Sequence, residues 1–277
     1  MTSIQKFKNI FKNNFKFTTF DIALMGIMMT MYFVVVFLLK QFLPGKFNIS
    51  VETLFYIIFG LLFGPIKGPL FSIMCDTAYQ LFFGAIAFWM IEYAIIPPLV
   101  SLAAWGLMYF YNKQNKFRFI FPIIILGITI IGVISFFVYQ FITNSFVFEN
   151  SIVHPTLVFW LMITLCILLV ATILITLILY KVKKQEIYIR ILYLVAVVAI
   201  ILIIFRWLWG PFAYVNFFNR FLSSENNPAK IMATQYPITL SGIAMKTTFV
   251  LPIFVIILVP TLSAVSVGKT NYYSNRI

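Results

Sequence analysis

The sequence predicts an all-α protein, a polytopic bundle of transmembrane helices. Three observations carry that expectation. Apolar residues make up 62% of the 277-residue chain and charged residues only 10%, whereas about a quarter of a soluble domain is charged. Hydrophobic runs recur from residue 22 to residue 262, more apolar surface than a chain of this size can hide from water. Basic residues fall in every second connection between those runs, as they do when alternate loops face the cytoplasm.

A helix that crosses the hydrocarbon core needs roughly 20 apolar residues, within about 17 to 25. The apolar segments lie at about 22–43, 53–66, 68–84, 88–111, 119–142, 155–180, 188–209 and 238–262. The first, fifth, sixth and eighth are comfortably long enough. The second and third are short and meet at two Gly-Pro pairs, Gly64-Pro65 and Gly68-Pro69. Proline removes a backbone donor and glycine permits a tight reversal, so two brief helices joined by a turn are expected there. That gives eight helices; one kinked helix would give seven.

Charge supports the turn. Lys6, Lys8, Lys12 and Lys16 precede the first helix, and Lys67 sits at the Gly-Pro turn. Lys113, Lys116 and Arg118, then "KVKKQEIYIR" at 181–190, then Lys269 and Arg276 follow at alternate connections. Lys40, Lys46, Arg206, Arg220, Lys230 and Lys246 remain for the other face, beside Glu52, Glu92, Glu149 and Glu225. Both termini are therefore expected on the cytoplasmic side of a cell membrane. Merging the short pair would put the later basic loops outside.

The expected organisation is a basic tail at 1–20, a membrane domain at 21–265 and a second tail at 266–277. Ile4, Phe7, Phe11 and Phe15 recur at helical spacing in the first tail, which would suit a helix lying on an anionic lipid surface or a simple solubilising tail. The apolar run that follows is too long for a signal peptide and lacks a small-residue cleavage site.

Chemistry-bearing motifs are sparse. No G-x-x-x-x-G-K-[ST] and no H-E-x-x-H occurs, and His154 is the single histidine. No paired acids suit general acid–base work, so the expectation is a protein that is not an enzyme, with no metal and no cofactor. Cys75 and Cys166 lie in apolar segments and read as small core residues. The net charge of +13 is explained by lipid-facing loops and requires no nucleic acid.

Polar and aromatic residues gather on the expected outer face. "KFNISVE" precedes the second helix, "FGAIAFWMIEYAIIPP" joins the third to the fourth, and "FRWLWGPFAYVNFFNRFLSSENNPAK" reads as a long aromatic loop. Trp and Tyr often serve simply as interface anchors. Flat rings interleaved with directed donors also suit a planar, polar ligand. The candidate binding set is Glu52, Trp89, Glu92, Trp207, Trp209, Tyr214, Asn216, Asn219 and Arg220, with Arg220 and Lys46 favouring an anionic ligand or simply facing solvent. On the first helix Ala23, Gly26 and Thr30 are small and share one side, which would let another helix approach closely or pack within the chain's own bundle.

The segment "LLFGPIKGPLFSIMCDTAYQLF" resembles the F-G-P-x-x-G-x-x-x-G/S-x-x-x-D pattern of the substrate-binding membrane subunits (S components) of energy-coupling-factor vitamin importers, closest to the folate-type members. "DIALMGIMMTMYFVVV" is similar to the first helix of that family and "MKTTFVLPIFVIILVPTL" to the last. The resemblance covers residues 20–112 and 205–262. Family members have six helices, so it implies a six-helix core plus an extra pair at about 119–181. It makes Gly64, Pro65 and Gly68 a cytoplasmic turn, with Asp76 a buried carboxylate that makes a structural contact in the bundle. It implies that Ala23, Gly26 and Thr30 face a transmembrane coupling subunit (the T component), with Gly26-x-x-x-Thr30 departing from the family's Ala-x-x-x-Ala. Two cytoplasmic ATPases would supply the free energy. The implied ligand is folate or a reduced folate; riboflavin, thiamine or another small cofactor precursor would also present flat rings. An ion-coupled secondary transporter and a purely structural membrane protein are the competing classes.

Overall fold

The computed structural model describes residues 17–42, 51–113, 117–142, 155–225 and 227–274. The tail at 1–16, Lys46, Lys116, Glu149, His154 and Arg276 lie outside the described residues. The described residues are almost entirely helical and contain no strand beyond an isolated bridge between Ser224 and Asn227. Six helices or more are long and apolar enough to cross a membrane. The chain divides into two compact units, Met1–Tyr109 and Phe110–Ile277.

The first unit begins with α1 (Thr19–Phe42). Its start is closed reciprocally: the Asp21 amide donates to Thr18 Oγ1 at 3.2 Å and the Thr18 amide donates to Asp21 Oδ2 at 3.0 Å. Two donors that the helix cannot satisfy itself are thereby paired.

Next comes α2 (Glu52–Phe82), whose helical hydrogen bonding hides a reversal. Gly64 has φ 85° and ψ −164°, a region open essentially to glycine alone. A continuous helix would hold Tyr56 and Asp76 about 30 Å apart at 1.5 Å per residue. Their side chains are instead hydrogen-bonded at 2.7 Å, and the Phe59 and Phe71 rings lie 4.7 Å apart. The element is thus a hairpin of two antiparallel arms, 52–63 and 65–82. Pro65 opens the second arm, where its missing donor costs nothing.

Glycine is also required where the arms meet α4 (Ile96–Lys113). A Cβ on Gly60 would overlap the Ser101 carbonyl oxygen, and one on Gly68 would lie 2.8 Å from both Phe59 O and Ser101 Oγ. Between the hairpin and α4 lie a 3-10 turn (Ala85–Phe88) and the single-turn α3 (Ile91–Ala94).

Ion pairs fix α1 against the hairpin at both ends. Lys40 Nζ is 3.1 Å from Glu52 Oε1, and Lys67 Nζ is 2.6 Å from Asp21 Oδ2. Lys67, expected among the loop cations, is buried and partnered instead.

In the second unit α7 (Glu186–Leu202) is the core. Ile189, every residue from Leu192 to Ala199, Ile201 and Leu202 are buried, so the helix is covered on all sides. Packed on it are α5 (Phe117–Ile142), α6 (Pro155–Lys183) and α9 (Met232–Ser274). The extra pair expected at about 119–181 corresponds to α5 and α6, which are part of this unit's packing.

One sequence expectation is corrected here. The stretch at 206–220, read as an outer loop, is helical: α7 continues through a π turn (Ile203–Leu208) into α8 (Trp209–Phe221). Pro211 would block the backbone bond to residue 207. The wider π turn precedes it, and the Tyr236 hydroxyl donates to the Leu208 carbonyl at 2.9 Å and reaches the Trp207 carbonyl at 3.5 Å. The Trp207 carbonyl, which the proline leaves without its helical donor, thus has a hydroxyl from a neighbouring helix within reach. The segment expected as a tail at 266–277 is helical as far as Ser274, as the continuation of α9.

Candidate functional site

Asp76 is the polar centre of the first unit. The Tyr56 hydroxyl donates to Asp76 Oδ1 at 2.7 Å, and Gln80 Nε2 donates to Oδ2 at 2.8 Å. The Tyr32 hydroxyl lies 3.3 Å from that of Tyr56, extending the chain of polar groups into α1. Tyr32 and Tyr56 are buried, with the Phe55, Phe59 and Tyr79 rings between 5.4 and 6.3 Å from Tyr32. A carboxylate in such surroundings is tolerated when its oxygens are paired, and both are. Lys40 also lies 4.4 Å from the Tyr79 ring centroid while it pairs with Glu52.

Glu52, Trp89 and Glu92 of the expected binding set belong to this unit. Glu52 is committed to Lys40, Trp89 is exposed after the 3-10 turn, and Glu92 is half-buried in α3.

The remaining binding candidates lie on the π turn and α8, and the helix divides them between faces. Trp209 and Arg220 are exposed, with Asn216 half-buried between them at the same angular position. Arg220 stands 5.4 Å from the Phe221 ring centroid. Trp207 and Tyr214 turn the other way. Trp207 Nε1 donates to Thr247 Oγ1 of α9 at 2.9 Å, and the Tyr214 hydroxyl accepts from Lys230 Nζ at 3.0 Å.

Asn219 holds the connector to α9 through a two-point strap. Its Nδ2 donates to the Lys230 carbonyl at 3.0 Å, and its Oδ1 accepts from the Lys230 amide at 2.7 Å. The Lys230 ammonium lies 4.1 Å from the Phe218 ring centroid and 4.9 Å from that of Tyr214. Burial there holds it below the ordinary lysine range. The exposed edge of α8 is left with flat Trp209 and cationic Arg220, a surface able to take a ring and an anionic group.

On α1, Ala23, Gly26 and Thr30 are all exposed, and a Cβ on Gly26 would meet nothing within 4 Å. Thr30 Oγ1 donates to the Gly26 carbonyl at 3.0 Å, which folds its polar atom back onto the helix.

Sequence reasoning missed Tyr32, Tyr56 and Gln80 around Asp76, and Lys230, Tyr236 and Thr247 around α8. Only Gln80 was readable, because it stands four residues from Asp76 on one helix face. No family model matches this chain, and no curated protein or solved structure matches it either.

Proposed function

We propose that the chain is the substrate-capture subunit of an ATP-driven vitamin importer of the energy-coupling-factor kind, with folate or a reduced folate as ligand. The observation that carries this reading is the hairpin. Each residue of the F-G-P-x-x-G-x-x-x-S-x-x-x-D pattern has a physical task there, beginning with Phe63, buried with its ring 5.2 Å from that of Phe71 across the hairpin. Gly64 and Pro65 make the reversal, Gly68 admits Ser101, Ser72 is buried with its hydroxyl on the Gly68 carbonyl, and Asp76 anchors the tyrosines.

On this reading the protein performs no chemistry. It sits in the cell membrane with both termini inside, and the exposed Trp209 and Arg220 edge of α8 contributes to holding a flat, anionic ligand. The small, open face of α1 receives a coupling subunit, whose two ATPase partners drive release. Riboflavin or thiamine would fit the aromatic component but leave Arg220 without an anionic partner.

A second reading, ion-coupled transport, is favoured by one feature: a carboxylate within an apolar bundle, joined to two buried tyrosines, is the kind of group that relays protons. Purification of the tagged chain from its own membranes separates the two. Recovery with one transmembrane subunit and two ATPases supports the first. Proton- or sodium-driven uptake by the isolated chain in liposomes supports the second and sinks the first.

A further inference from the structure

The second unit contains a cleft that the transport reading does not use. It measures about 230 Å³ and is lined by Tyr111, Arg118, Phe119, Tyr180, Glu186 and Ile189. These residues bring together the ends of α4 and α6 and the starts of α5 and α7.

Arg118 is fixed from one side. Its Nε donates to the Tyr111 carbonyl at 2.9 Å, and its guanidinium lies 4.9 Å from the Tyr111 ring centroid. The terminal nitrogen faces Glu186 at 3.6 Å, too long for a hydrogen bond, and that carboxylate is 77% exposed. A long pair to so exposed a carboxylate contributes little, so a better acceptor can displace it. The guanidinium fork matches a phosphate.

The surroundings say which anion. Lys181, Lys183 and Lys184 are exposed and Arg190 is half-buried on the same stretch, against the one carboxylate of Glu186. Beside these charges, Ile120, Ile178, Val182 and Ile187 are exposed. A free anion has no use for that apolar skirt, whereas acyl chains do. Basic pockets between membrane helices bind anionic headgroups on these terms.

We infer that the cleft is a headgroup site for an anionic phospholipid, with Arg118 on the phosphate and the acyl chains on the neighbouring isoleucines and Val182. Native mass spectrometry of the full chain in detergent, with phosphatidylglycerol, phosphatidylcholine or inorganic phosphate added, tests it. Phosphatidylglycerol should be retained over phosphatidylcholine, and Arg118→Gln should cut that preference by about fivefold, the loss of one charge contact. Replacing Lys181, Lys183 and Lys184 together by Gln alters only exposed side chains, and should cut the preference at least as far in a protein that still folds. Equal retention of the two lipids, or a preference that Arg118→Gln leaves unchanged in a protein that still folds, overturns the site. Inorganic phosphate displacing the lipid at equal concentration overturns the lipid as its occupant.

Discussion

Gly64 makes the reversal on which the hairpin of the first unit depends. A side chain at φ 85° and ψ −164° is strained whatever space surrounds it. Gly64→Ala should therefore cost about 1–3 kcal/mol, seen as a lower midpoint of thermal unfolding in detergent. Gly26→Ala is the matched control: its Cβ meets nothing, so the midpoint should not fall, and helix propensity favours the variant by up to about 1 kcal/mol. Asp76 gives a second contrast. Asp76→Ala leaves the buried Tyr56 hydroxyl without its acceptor and should cost about 1–3 kcal/mol, while Asp76→Asn keeps an acceptor and should cost less. Gly64 was legible in the sequence because a Gly-Pro pair in an apolar run has few other uses. The tyrosine partners of Asp76 were not, because they stand 20 and 44 residues away and tertiary packing alone brings them together.

At the scale of an element, the π turn and α8 depend on a residue from another helix. Tyr236→Phe removes the donor to the Leu208 carbonyl and should destabilise the protein by about 1 kcal/mol. Pro211→Ala restores the backbone donor that the π turn works around, so Tyr236→Phe should cost less on that background. Additive costs in the double-mutant cycle would separate the tyrosine from the proline. This element was misread for a physical reason. Trp-Gly-Pro followed by two asparagines within the next ten residues looks like a loop by local propensity. The wider turn absorbs the proline, and the buried faces of Pro211, Ala213, Val215 and Phe218 give the helix its packing. The apolar helices α1, α5 and α6 needed no such context, since their length and composition alone located them.

For the molecule as a whole, the account joins a membrane bundle to a capture role, and its parts make separate demands. Arg220→Ala should weaken binding of an anionic vitamin at least about tenfold, or roughly 1.4 kcal/mol, and leave assembly with the coupling subunit intact. A bulky residue at Gly26 should do the reverse, because that face lies open. The helical membrane class was legible from the hydrophobic runs, while the proposed ligand surface was legible only as a composition. Trp207 and Tyr214 looked equivalent to Trp209 in sequence, yet helical periodicity turns them inward to Thr247 and Lys230. The most direct measurement is equilibrium binding to the purified chain alone, by native mass spectrometry across the B-group vitamins. The account predicts a single tightly held ligand of the folate class, lost selectively in Arg220→Ala. No binding of any vitamin to the folded chain, or binding indifferent to Arg220 and Trp209, would contradict it.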